Sequence, residues 1–139
     1  MKHACFACNY ALLQYLPHPE TGEFVNVGVV VHCGAPSAFD FALEETMTAR
    51  VKAMFPRQGE ATFAATICGL RRELERIRAA VSGDPDRGLR LFAEVVRRRE
   101  ATFRFGEIRT ILATDVGTVA EDLFRRYVRM EEVAPALSP

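Results

Sequence analysis

The sequence carries no net charge: 18 basic residues stand against 18 acidic ones. A neutral chain has no bulk field to gather nucleic acid or a membrane surface, so either partner would need a local patch. Long hydrophobic runs are missing too. The longest, Phe24 to Val31, is interrupted by Asn26 and falls far short of the roughly 20 residues that a membrane-spanning helix needs. At the N-terminus only Lys2 precedes mixed apolar and polar residues, and no small-residue cleavage pattern follows it. Both absences point to the cytoplasm. Internal repeats are absent. Lysine is scarce, two against sixteen Arg, which suggests a GC-rich bacterial genome and says nothing of function.

Cysteine is also sparse, four in all. Cys5-x-x-Cys8 is half of a zinc or redox motif, with His3, His32, Cys33 and Cys68 as conceivable completions. A half-site is a weak signal, so no metal and no cofactor are expected. Cys33 is placed to meet the partner strand of a hairpin, and Cys68 lies near the apolar stripe of a long helix, where it reads as ordinary core. Thioredoxin-like chemistry needs the motif at a helix start after a strand. Here it precedes or begins the first strand, and that reading is rejected.

What remains is an ordinary globular composition, with 49% hydrophobic and 26% charged residues over 139 positions. A chain of this length forms one domain and buries roughly 68% of its unfolded surface, enough for a core without staples. Residues 1–130 are read as that domain and 131–139 as a frayed tail. Charge is spread unevenly: residues 1–49 sum to −4, residues 50–109 to +6 and the remainder to −2. A basic middle between acidic ends is either a partner surface or a set of arginines packed against the acids of the first segment. The second reading is preferred.

The pattern gives an α+β domain. Strands are expected over about 10–16, 23–33 and 38–44, the first ended by Pro17 and the third marked by alternation of Phe39, Phe41 and Leu43 with polar neighbours. Short connections make these an antiparallel meander. Phe63, Ile67, Leu70, Leu74, Ile77 and Val81 recur at spacings of four and three, the signature of an amphipathic helix of about six turns over 60–82. Shorter helices are expected over 46–55, stopped by Pro56, over 85–99 after Asp84-Pro85, and over 117–130 after Asp115 or Thr118. The inward faces would be Leu89, Phe92 and Val96 in the third helix and Val119, Leu123, Phe124 and Val128 in the last. A late strand over 102–113 bends at Gly106. The helices are expected over one face of the sheet.

Two stretches of the hairpin, Y-A-L-L-x-Y-x-P from Tyr10 and G-E-F-V-N-V-G-V-V-V from Gly22, resemble a bacterial domain-of-unknown-function family, number 3037 in its series. Phe103-Arg104-Phe105, Arg109, Asp115, Leu123-Phe124 and Val128 are similar to that family's C-terminal block. One departure is Ile108-Arg109, where the family pattern implies Pro-Arg. The resemblance transfers no activity. It implies an accessory role beside kinase-like proteins of the HipA type, which makes a kinase-like neighbour the candidate protein partner.

The second strand carries the candidate site. Asn and Gly are disfavoured inside strands, yet Asn26 and Gly28 stand among valines. Strand alternation puts Val25, Val27, Val29 and Val31 on a dry core face, and Phe24, Asn26, Gly28, Val30 and His32 on the other. Asn26 then either ties down a neighbouring segment or floors a groove for a peptide or small ligand, the former being preferred. Gly28 would admit a helix or aromatic ring at close range. Glu23 could pair with Arg109 if the late strand lies beside the second one. Asp40, Glu44, Glu45 and Asp115 are the other acids within reach of a shared site.

Three functional readings come from these residues. The first is a non-enzymatic accessory module that binds a protein through the Asn26–His32 face or the basic middle. The second is a metal-dependent nuclease or hydrolase using Glu23, His32, Asp40 and Arg109, which must then converge in one cleft. The third is nucleic-acid binding through Arg97, Arg98 and Arg99, disfavoured because no basic stripe is interleaved with exposed aromatics. Arg71–Glu75 and Glu75–Arg78 are spaced to neutralise one another along the long helix.

Overall fold

Apolar residues at every second position turn the first third of the chain into a sheet. The structure, a computed structural model, describes residues 5–35, 37–99, 101–131 and 137–138. Strand β1 (Phe6–Tyr15) pairs antiparallel with β2 (Val25–Gly34), and β2 with β3 (Ser37–Leu43). This is the expected meander, with β1 starting four residues earlier than expected. Three helices follow: α1 (Ala49–Met54), α2 (Glu60–Gly83) and, after a short turn at Pro85–Arg87, α3 (Gly88–Val96). Thr48 caps α1 by accepting the Val51 N–H at 3.3 Å.

The late strand forms in two pieces, β4 (Phe103–Phe105) and β5 (Arg109–Ala113). Both pair with β1, β4 along its C-terminal half and β5 along its N-terminal half. The chain breaks between them at Gly106, where a bend was expected. The last helix, α4 (Val119–Leu123), runs into a π-helical turn over Phe124–Val128, and β6 (Leu137–Ser138) pairs with the end of β5. The sheet order is β3-β2-β1-β5-β6, with β4 beside β1. Of the expected tail, residues 132–136 and 139 lie outside the described residues.

Helices cover both faces of this sheet, not one. Val25, Val27, Val30, Phe39 and Phe41 pack under α1–α3 with Val51, Phe63, Ile67, Leu74, Ile77, Val81 and Phe92. Behind the sheet, Val29, Val31, Ile111 and Ala113 pack with Val119, Leu123, Phe124 and Val128. The unbroken run Val29-Val30-Val31 carried the signal: a strand apolar at consecutive positions needs cover on both sides.

The α2 stripe is buried as its spacing requires, with Leu70 half-buried. Cys68 lies off it and is exposed, so it is not core. Leu89 is likewise 57% exposed, and the buried face of α3 is Phe92 with Val95. The arginines of α2 bypass the expected partners along the helix. Arg71 reaches Glu45 and Arg78 reaches Asp40, both at 3.0 Å, while Glu73 takes Arg76 at 2.6 Å and Arg98 at 2.8 Å. The two longest-range of these pairs join the basic middle to acids of the first segment, which is the arrangement preferred from the charge distribution. The Arg78 guanidinium carbon also lies 4.8 Å from the Phe41 ring centroid, so the same charged head pairs with Asp40 and sits over an aromatic face.

Candidate functional site

A bulge in β2 decides where the candidate residues point. From Cys8↔Cys33 to Leu13↔Gly28 the pairing is regular; the next pair is Gln14↔Asn26, so Val27 is an extra residue. One inserted residue reverses the faces of everything beyond it. Val25 and Val27 therefore join Val30 in the core under α1–α3, while Val29 and Val31 face α4. Asn26 shares a face with Gln14, on the α4 side, and His32 lies on the opposite face against Phe92, with ring centroids 6.1 Å apart. The expectation that the amide and the imidazole share one side fails on this bulge.

Asn26 lines a cleft of about 440 Å³ together with Val25, Glu44, Thr46, Thr48, Ala49, Arg50, Val128, Arg129 and Glu131. The cleft has a simple origin. Pairing between β2 and β3 ends at Gly28↔Leu43, the last link being the Glu44 N–H donated to the Val27 carbonyl at 2.8 Å. Beyond it the chain leaves for α1, and the start of β2 has no strand on that side. The Asn26 Oδ1 is buried there and has no hydrogen-bond partner among the described residues. Such a group costs on the order of 1–3 kcal/mol to leave unmade.

The walls around it are polar and held. Glu44, only 8% exposed, accepts from Arg129 Nη2 at 3.1 Å. That hydrogen bond, with the carboxylate charge behind it, holds the Arg129 guanidinium above its ordinary pKa. Arg129 also lies 5.0 Å from the Phe124 ring centroid. Arg50 Nη1 donates to the Val128 carbonyl at 2.6 Å, tying α1 to the π-helical turn. π turns inside helices occur frequently at functional sites, and this one delivers Val128 and Arg129 to the cleft. On the far side of the Glu44–Arg129 bridge a second depression of about 440 Å³ runs between Leu43, Glu45, Arg71, Glu121 and Phe124.

The other expected residues do not join Asn26. His32 is 5% exposed, its Nε2 has no partner among the described residues, and burial pushes its pKa below the ordinary 6.5. A Cβ on Gly88 would stand 2.5 Å from that nitrogen, so the first residue of α3 seals the ring in. Gly28 admits no ring or helix. A Cβ there would meet Leu43 Cδ2 at 2.6 Å, which makes it a strand-packing glycine. Glu23 is exposed in the loop before β2, its N–H donating to Thr21 Oγ1 at 3.1 Å. Arg109 is exposed on β5 opposite Tyr10, with Glu107 at 3.7 Å. Glu23 and Arg109 do not pair, because the late strand lies beside β1 and not β2. With Asp40 held by Arg78 on the edge strand, the four groups of the hydrolase reading are scattered over separate parts of the fold.

Among the described residues no three His, Cys, Asp or Glu side chains are grouped to hold a metal. Cys8 and Cys33 face each other across β1 and β2 with Cα atoms 4.2 Å apart and form a disulfide. The zinc half-site thus loses Cys8, and His32 lies on the opposite face from Cys33. Residues that sequence reasoning missed are Thr46, Thr48, Arg50 and Arg129. Their only signal was Glu44, the acid immediately after the alternating strand and the one carboxylate buried among the described residues.

Comparison with known proteins gives the family. The model of a family described as Protein of unknown function (DUF3037) matches residues 10–128, most of the chain, and the chain belongs to that family. No curated protein and no solved structure matches it. No helix among the described residues is long and apolar enough to cross a membrane.

Proposed function

We propose that this member of the family is a non-enzymatic binding module that takes an extended segment of a partner protein at the Asn26 cleft. The single observation behind the reading is the buried Asn26 Oδ1, without a partner among the described residues, on the wall of an open cleft. A carboxamide offers one acceptor and two donors, the same pairing groups as a peptide unit. The neighbouring end of β2 lacks a strand on its β3 side, so an extended segment would lie alongside existing backbone, a recurrent mode of peptide capture. Volumes of about 300–1,000 Å³ are usual for binding pockets, and the cleft falls within them. Glu44 and Arg129, already paired, give the ligand one acidic and one basic edge to read.

The first candidate partner is the kinase-like neighbour that the sequence resemblance suggests, and the compartment we assign is the cytoplasm. In that reducing compartment Cys8 and Cys33 would stand as a buried thiol pair, with the disulfide forming on oxidation. The test is a displayed library of random peptides, panned on the parent protein and on Asn26→Leu, with the kinase-like protein assayed in parallel. Selected peptides should bind the variant about tenfold more weakly or worse, the equivalent of one or two hydrogen bonds. Equal binding to the two proteins would remove Asn26 from the site and the reading with it.

A further inference from the structure

A further cleft, of about 650 Å³, opens where the late strand breaks, between Gly106 and Glu107 on one side and the end of α3 on the other. Arg97, Arg99 and Arg104 line it. Arg99 and Arg104 are directly opposed in an antiparallel bridge, and like charges facing each other across strands are destabilising. No carboxylate pairs with any of the three among the described residues, whereas Arg71, Arg76, Arg78 and Arg98 each have one. The ion pair with Glu73 accounts for Arg98. No such pair, among the described residues, accounts for the three guanidinium groups that line this one hollow.

Two of those groups are also held. Arg104 donates its Nε to Gln14 Oε1 at 3.0 Å, and Arg97 its Nε to the Ala93 carbonyl at 3.2 Å. Each bond fixes the stem side of a planar fork, and the terminal nitrogens of both have no partner among the described residues. Fixed, unpaired forks suit an oxyanion that accepts from several donors at once, which is the chemistry of a phosphoryl group. Phe105, the aromatic residue of the cleft, is half-buried and packed against the core under α1–α3. It offers no platform of the kind that single-stranded nucleic acid uses, and the neutral chain supplies no long-range attraction to a polyanion.

We propose that Arg97, Arg99 and Arg104 form a binding site for a phosphoryl group carried on a partner polypeptide. The site shares no lining residue with the Asn26 cleft and stands whether or not that cleft takes a peptide. The two are nevertheless close: Gln14, which holds Arg104, is the strand neighbour of Asn26 on one side and of Arg104 on the other.

The test uses fluorescence anisotropy with a degenerate phosphoserine peptide pool, its unphosphorylated counterpart and a single-stranded polythymidine. The parent should bind the phosphorylated pool about tenfold or more above the other two, and each of Arg99→Gln and Arg104→Gln should lose about tenfold, as expected for charged hydrogen bonds. Arg99→Gln changes an exposed side chain and relieves the like-charge pair with Arg104, so its melting temperature should equal or exceed the parent's and exclude misfolding as the cause. Equal binding of the two peptide pools, preference for polythymidine, or full binding by the Arg99→Gln, Arg104→Gln double variant would each overturn the proposal. Asn26→Leu should leave the phosphoserine response intact, which separates this site from the peptide cleft.

Discussion

Asn26 and His32 belong to one strand, each has a buried polar atom without a partner among the described residues, and they have opposite surroundings. The difference lies in the layers above them. On the His32 face, α2 alone has 24 residues, about 36 Å of helix, and α3 begins with Gly88 pressed onto the imidazole. On the Asn26 face, α4 and the π-helical turn together have ten residues, against about 33 Å for a ten-residue strand. The shorter cover leaves the start of β2 open. An orphaned polar atom under a complete layer is a cost borne by the fold. The same atom at the open end of a layer is placed where a ligand can satisfy it.

Experiments that break the sealed side should give the largest effects. Phe92, 1% exposed, lies over His32. Truncation by Phe92→Ala should lower the unfolding free energy by about 3–5 kcal/mol, measured by urea denaturation. A loss below about 1 kcal/mol would mean that α3 is not a true cover. Next comes Cys8–Cys33, which closes a loop of sequence separation 25 across the two strands. Reduction under native conditions should cost about 3 kcal/mol on the chain-entropy account. If the melting temperature is indifferent to reductant, the thiols are not bonded in the folded protein.

His32 provides a subtler probe. Because burial lowers its pKa, the unfolded chain takes up a proton that the folded one resists. Its contribution is therefore complete above the ordinary value of 6.5 and is lost progressively as the pH falls below it. Melting temperatures of the parent and His32→Leu should diverge on going from neutral to mildly acidic solution, the parent falling further. Parallel curves would place the imidazole in contact with water.

Much of the fold was legible because periodicity reports burial. The stripe from Phe63 to Val81, the alternation Phe39-Phe41-Leu43 and the inward set Val119, Leu123, Phe124 and Val128 all lie where their spacing put them. What alternation cannot report is an inserted residue. Val27 looks like any strand valine, yet as a bulge it reversed the faces of Asn26 and His32 relative to each other. The cleft was invisible for a related reason: Thr48 and Arg50 from the start of α1 and Arg129 from the end of the chain's last helix are brought together by a chain exit at Glu44 and a π turn that no local pattern marks. Glu23 and Arg109 failed as a pair on strand order alone, which depends on where the late strand docks.

The smallest expected change in stability is the most direct measurement. In Asn26→Leu, a carboxamide whose buried Oδ1 has no partner among the described residues gives way to an apolar side chain at the mouth of an open cleft. If Asn26 is kept for a ligand, the variant's unfolding free energy in urea should equal or exceed that of the parent. A fall of about 1 kcal/mol or more, the ordinary cost of losing a satisfied hydrogen bond, would show that the amide serves the fold and contradict the account.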